Sequence, residues 1–328
     1  MGRLTSLRKS LNKKNYVTEM SDPTCWVGWG NMSMNYYCTG SFTRGIPNKR
    51  VVMLYGPSGT GKSLFTAKTM RECQDAGYMV ICIDTEGAMD REYLTKVGVD
   101  LDEDKYLPIR AISIEEIADI TSEIFREFGK DEKIALFIDS LGMVDTDDRN
   151  EAFDKKGEMK NDMGLLAKKI KHLTKNLCRK ATERDMFCVV VQHAYQNQNV
   201  MNGEGTHVPS GGEAQVFIPS ISILLRRLKL KEGTESVGVK IKGEIKKTRF
   251  SKLGSTFELE VPYSTGVDLY DGVLDILEKL GAVSRSGAWY SYEKDGEVVK
   301  FQKKNSQEHV DYLVKLVEPD IIEENDEA

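Results

Sequence analysis

Tyr55-Gly56-Pro57-Ser58-Gly59-Thr60-Gly61-Lys62-Ser63 decides the fold. Gly56, Gly61, Lys62 and Ser63 satisfy G-x-x-x-x-G-K-[ST], a phosphate-cradling loop set between a strand and a helix. Pro57, Ser58, Gly59 and Thr60 fill its variable places. Both flanks agree. Val51-Val52-Met53-Leu54-Tyr55 is a continuous apolar run, as a strand buried on both faces requires. Leu64, Phe65, Ala67 and Met70 then follow a helical rhythm. The glycines let backbone N–H groups turn toward phosphate oxygens, and the helix N-terminus adds positive potential. The motif places Lys62 at the β- and γ-phosphates of a nucleoside triphosphate and the Ser63 hydroxyl on Mg²⁺.

Outward from this loop, apolar runs alternate with amphipathic stretches as far as Arg227. Strands are predicted at 51–55, 79–84, 107–111, 134–138, 187–191 and 221–226, with helices near 63–76, 114–128 and 162–183. That rhythm is an α/β fold, a largely parallel sheet flanked by helices. Residues 237–247 and 255–261 alternate more strictly and predict an antiparallel extension. A small α+β module is expected after Gly266, with a helix at 269–280, a hairpin turning at Asp295-Gly296 and a helix at 307–317. The divisions read as a basic N-terminal segment 1–30, a core 31–265, the module 266–317 and a disordered acidic tail 318–328. In the first segment Leu4, Leu7 and Leu11 form an apolar stripe suited to docking on a neighbouring surface. Residues 21–50 read as a Gly-, Asn- and Ser-rich lead into the first strand.

Two further strands end in carboxylates. Ile134-Ala135-Leu136-Phe137-Ile138 leads into Asp139, placed to help Ser63 hold the metal. The run 79–83 leads into Asp84-Thr85-Glu86-Gly87. Ligands of open α/β sheets bind at this carboxyl edge, where Glu86 can deprotonate an attacking water. Tyr93 follows Asp90 on a short helical turn and offers a ring for a base, or for packing. Long loops near 145–162 and 194–215 leave the same edge, the second after Gln192-His193. Between them Lys168, Lys171 and Lys175 share one helix face, which suits nucleic-acid phosphates in that company and an ordinary solvated face without it.

With 46 basic and 51 acidic residues the net charge is −5, so any nucleic-acid surface must be local. Six scattered cysteines show no zinc spacing and read as reduced thiols of a cytoplasmic protein. No apolar run approaches 18 residues, so no membrane span is expected.

The ordered set of these markers resembles the RecA-type recombinases, and within them the phage UvsX branch. It comprises the phosphate loop, Asp84-Thr85-Glu86, Phe137-Ile138-Asp139-Ser140-Leu141-Gly142, Asp162-Met163-Gly164-Leu165, Gln192-His193, Ser210-Gly211-Gly212, Lys247-Thr248-Arg249 and Gly287-Ala288-Trp289-Tyr290-Ser291-Tyr292. The resemblance implies a RecA-like ATPase core that filaments on single-stranded DNA and exchanges strands with duplex DNA, using ATP and Mg²⁺. It implies Glu86 as catalytic carboxylate, and Asp90 and Tyr93 as adenine contacts. A γ-phosphate sensor falls at Gln192 or His193, and the histidine of the phage branch points to His193. Met163, Lys168, Lys175, Gly211 and Gly212 become DNA contacts. Lys247 and Arg249 become a pair reaching ATP on the adjacent subunit. Mediator and single-strand-binding proteins are implied as partners. The same fold also serves hexameric helicases and nucleotide-regulated DNA-binding adaptors.

Overall fold

The computed structural model describes residues 2–12, 21–157, 164–197, 206–252 and 254–327. Helix α1 (Arg3–Asn12) forms on the leucine stripe but buries none of its residues, and Leu4 and Leu7 are exposed. Strand β1 (Trp26–Val27) pairs with β2 (Ile46–Pro47) around α2 (Met32–Thr39).

The core then runs β3 (Arg50–Gly56), α3 (Lys62–Asp75), β4 (Met79–Asp84), α4 (Arg91–Val97), β5 (Tyr106–Arg110), α5 (Ile114–Glu127) and β6 (Ile134–Asp139). It continues through α6 (Asp147–Lys156), α7 (Leu165–Thr182), β7 (Met186–Asn197), β8 (Thr206–Pro209), a 3₁₀ turn at Glu213–Phe217, β9 (Ile221–Glu232), β10 (Glu235–Lys247) and β11 (Thr256–Pro262). The sheet order is β11-β10-β9-β3-β7-β6-β4-β5. The strands from β9 through β5 in that order are parallel, and β10 and β11 extend the sheet antiparallel, as the sequence predicts.

Apolar side chains on both faces hold this sheet in the middle. Val52 and Leu54 pack with Phe65 and Met70 of α3, whereas Val51 shares the other face with Ile117 of α5 and Leu173 of α7. Strand β7 changes partner along its length. It pairs with β3 through Gly56↔His193 and with β8 from Ala194↔Pro209 onward.

The terminal module packs α8 (Val273–Lys279), β12 (Ser284–Ser286), β13 (Trp289–Lys294), β14 (Glu297–Gln302) and α9 (Gln307–Glu327) around Phe42, Tyr290 and Phe301. Its hairpin turns at Asp295-Gly296, both at positive φ, as predicted. The expected break at 318 is absent: α9 continues through Pro319 to Glu327. Glu318 is buried and accepts hydrogen bonds from the Ser41 hydroxyl, Phe42 N (3.0 Å) and Thr43 Oγ1 (2.8 Å). A carboxylate so committed belongs to the module rather than to a solvated tail. Among the described residues no helix is long and apolar enough to cross a membrane.

Candidate nucleotide site and DNA-facing elements

Strand ends bring the phosphate loop, Glu86, Asp139 and His193 to one cavity of about 350 Å³. Two glycines show why the loop needs its sequence. A Cβ on Gly56 would lie 2.2 Å from the Leu225 carbonyl oxygen, and Gly61 turns at φ +87° to start α3. Thr60 Oγ1 closes the loop on Pro57 O at 2.9 Å. Lys62 folds back on the loop, donating to Gly56 O (3.0 Å) and Pro57 O (2.9 Å). Burial lowers its pKa, opposed by Asp139 and Glu86.

Ser63 Oγ donates to Asp139 Oδ2 at 3.0 Å. Asp139 is 2% exposed, and burial pushes its carboxyl up to about 6 against the hydrogen bond from Ser63. A buried carboxylate beside a hydroxyl at a phosphate loop is a hard-oxygen pair that a divalent cation would complete with phosphate and water oxygens. Among the described residues no three His, Cys, Asp or Glu side chains cluster as a metal cage, and a Mg²⁺ shared with phosphates needs none.

Asp84 orders the segment carrying Glu86 by accepting from the N–H groups of Glu86 (3.0 Å), Gly87 (2.8 Å) and Met89 (3.1 Å). Glu86 Oε1 lies 2.6 Å from Ser140 Oγ and 2.5 Å from His193 Nε2. The choice between Gln192 and His193 follows from the pleat. His193 lines the cavity, whereas Gln192 points to the opposite face and is 0% exposed. Gln192 therefore has no access to a bound phosphate, which corrects its place among the catalytic candidates. Both of its amide atoms lack partners among the described residues.

Asp90 and Tyr93 do not line the cavity. Asp90 caps α4, accepting from Tyr93 N at 2.7 Å. Tyr93 is half-buried against the core, and burial, with Asp139 next, pushes its phenol up to about 12. Arg227 and Tyr263 line the cavity instead, the tyrosine 70% exposed. Sequence reasoning missed both, and the only available signal was an aromatic directly after the last core strand.

Lys168, Lys171 and Lys175 are exposed on α7. Met163 and the loop tip 198–205 lie outside the described residues. Gly211 and Gly212 join β8 to the 3₁₀ turn, where Gly212 N already donates to Pro209 O at 3.0 Å.

Lys247 and Arg249 sit at the far edge of the sheet. Lys247 pairs with Ser222, near the start of β9, and its Nζ donates to Phe217 O. The phosphate loop leaves the opposite ends of these strands, beyond Tyr55↔Leu224. Burial and then Arg249 lower the pKa of Lys247, and Arg249 likewise acts on half-buried Arg50.

A phosphate loop, an acidic strand end for the metal and a carboxylate one strand away define a nucleoside-triphosphate-hydrolysing α/β protein. A profile described as the RecA N-terminal domain matches residues 26–268. The chain belongs to the RecA family. It is 28% identical over 271 residues to Protein RecA of Chloroherpeton thalassium, covering 82% of this chain and 72% of that one. Protein RecA of Streptomyces rimosus is 30% identical over 253 residues, 76% of this chain and 64% of its own length. Protein RecA of Acinetobacter baylyi is 27% identical over 319 residues, 93% and 86%.

Proposed function

We propose that the protein is an ATP-dependent DNA recombinase that forms filaments on single-stranded DNA and catalyses homologous pairing and strand exchange, with hydrolysis stimulated by DNA. One observation carries this reading. The glutamate facing the phosphate loop is tied to His193, at the root of the β7–β8 ribbon that leads to the second loop. On this reading nucleotide and DNA sites share one strand.

In hydrolysis the water oxygen bonds to the γ-phosphorus as the bond to the β-bridging oxygen breaks. Glu86 takes the water's proton and returns it to solvent. Lys62 leaves the carbonyls of Gly56 and Pro57 for the β- and γ-phosphates. Ser63 and Asp139 would hold Mg²⁺, which would supply charge neutralisation at the phosphates. Tyr263 at the cavity supplies a surface for the base, and Asp90 and Tyr93 are adenine contacts on the strength of the family resemblance alone. Lys247 and Arg249 reach the γ-phosphate held by the next subunit, because their own phosphate loop lies at the other edge. Lys168, Lys175, Gly211 and Gly212 meet DNA phosphates, and Met163 separates bases.

His193 at the cavity favours the phage UvsX branch, acting in the cytoplasm with single-strand-binding and mediator proteins. Joint molecules and exchanged product from circular single-stranded and homologous linear duplex DNA, requiring ATP and Mg²⁺, are the expected result. Directional unwinding of a forked duplex without joint molecules would make the protein a helicase instead, and DNA binding with neither activity would make it an adaptor.

A further inference from the structure

The glycines of the phosphate loop lie against the antiparallel pair β9–β10. A Cβ on Gly56 would run into Leu225 O, one on Gly59 would meet Arg227 Nη1 at 2.5 Å, and one on Gly61 would meet Ile241 Cδ1 at 2.6 Å. Ile241 is the cross-strand partner of Arg227. These two strands therefore roof the loop, and the group that the roof lays on Gly59 is a guanidinium. Gly59 turns at φ +71°, so its backbone already favours glycine, and its bare face leaves the guanidinium room to lie flush with the loop.

Arg226 and Arg227 are neighbours on β9 and are used differently. Arg226 Nη2 lies 3.6 Å from Glu244 Oε2 on β10. Arg227 lines the nucleotide cavity, and among the described residues no carboxylate answers it. Its Nη1 donates to Gly59 O at 3.5 Å, longer than an ordinary N–H···O bond. A guanidinium carries five N–H donors and no acceptor, so most of its bonding capacity is left for an anion. The cavity's charges need that cation. Lys62 and Arg227 stand against Glu86 and Asp139, and without Arg227 the lining is net negative, which opposes a triphosphate. Burial also lowers the pKa of Lys62, whereas an exposed guanidinium is always charged.

We propose that Arg227 is a nucleotide-binding residue, a permanent cation supplied from β9 of the same chain that donates to a phosphate of the nucleotide alongside Lys62. The planar fork suits phosphate oxygens, and Arg227 exchanges its long contact with Gly59 O for charge-assisted bonds. The proposal rests on the reading of the cavity as the ATP site, and strand exchange does not enter it.

Equilibrium binding of a fluorescent ATP analogue to the full chain, with Mg²⁺ and without DNA, tests it, together with thermal melts with and without ATP. Arg227→Gln melts as the wild type does without nucleotide, binds the analogue about tenfold or more weakly, the scale of one hydrogen bond to a charged group, and shows a smaller ATP-induced rise in Tm. Arg227→Met, which keeps the aliphatic stem, shows the same loss and stands in if the glutamine variant does not fold. Arg227→Lys, which keeps the charge without the fork, recovers part of it. Arg226→Gln, one residue away, binds the analogue as the wild type does. Wild-type affinity in a folded Arg227→Gln or Arg227→Met protein overturns the proposal, and if that protein instead binds single-stranded DNA more weakly, the guanidinium is a nucleic-acid contact. Equal losses in the Arg226 and Arg227 variants also overturn it, since the effect would then be one of overall charge. Lys62→Ala separates the two levels. If it binds the analogue as tightly as the wild type, the reading of the cavity as the ATP site fails. If it loses binding while the Arg227 variants keep theirs, only the role of Arg227 fails.

Discussion

The two edges of the sheet treat charge differently. At the carboxyl edge each charged group of the site is answered from within the chain: Lys62 by loop carbonyls, Asp139 by Ser63, Glu86 by Ser140 and His193. At the amino edge Lys247 donates to a neutral carbonyl, and Arg249 acts on both Lys247 and Arg50 as a like charge. The first edge is a folded-back site that exchanges its internal partners for a triphosphate. At the second, Arg249 is the first charge acting on Lys247, and the proposed function has this pair meet an anion held by another subunit. The proposed head-to-tail filament with nucleotide between subunits would use this asymmetry.

Lys247→Ala/Arg249→Ala tests the amino edge most severely. Loss of a trans-acting cation is worth about 10³–10⁵ in turnover, so the double variant is expected to bind ATP and lose DNA-dependent hydrolysis and long filaments. Turnover assays and sedimentation with ATP and DNA read the two effects. Normal hydrolysis by the double variant would erase the distinction between the edges. Lys62→Ala strikes the other edge and is expected to lose about 10²–10³ in kcat, the scale of one preorganised donor to a developing charge, with an unchanged melt. Mixing the two variants sharpens the comparison. An interface combining one chain's intact loop with the other's intact pair regains activity, and a flat mixing curve would mean that both edges act in cis.

The module offers a contrast in stability rather than chemistry. Glu318→Ala leaves the buried Phe42 N–H and Ser41 hydroxyl without their acceptor. Each unsatisfied buried group costs about 1–3 kcal/mol, so hydrogen exchange should rise across α8 to α9 while the nucleotide site keeps its protection. Uniform loss across the chain would show that the module and core unfold as one unit. The smallest expected effect is on α7. Lys168→Ala and Lys175→Ala should each make the log–log salt dependence of single-stranded DNA binding shallower by about 0.7 per lost phosphate contact. Unchanged slopes would return that helix face to ordinary solvation.

Local chemistry made the phosphate loop and the carboxylate strand ends readable, since each is written within a few consecutive residues. The buried strands were readable because both faces are apolar. Helix α2 was not, because Met34, Asn35, Cys38 and Thr39 are all buried and leave no polar stripe. Its cap residue Asn31 is held through Nδ2 by the carbonyls of Asp268 and Asp271, more than 200 positions away. Helix α6 hid for the opposite reason: Asp147–Lys156 is polar nearly all round, and only Ala152 is buried. In the site, Ser140, Arg227 and Tyr263 had no legible role because each acts across strands that meet only in the folded sheet. Gln192 and His193 both fit the sensor place as neighbours in sequence, where the phage resemblance points to His193, and the pleat of one strand separates them.

That strand has a mechanical consequence. Strand β7 pairs with β6 from Met186 through Val190 and with β3 from Phe187 through His193, and beyond His193 it forms a two-stranded arm with β8. An arm rooted in a clamp turns about its root, so a load on its outer end arrives as torque at the residue carrying the imidazole. No loop lies between to absorb the twist. A load on the arm is therefore delivered to the strand position that faces the phosphate loop.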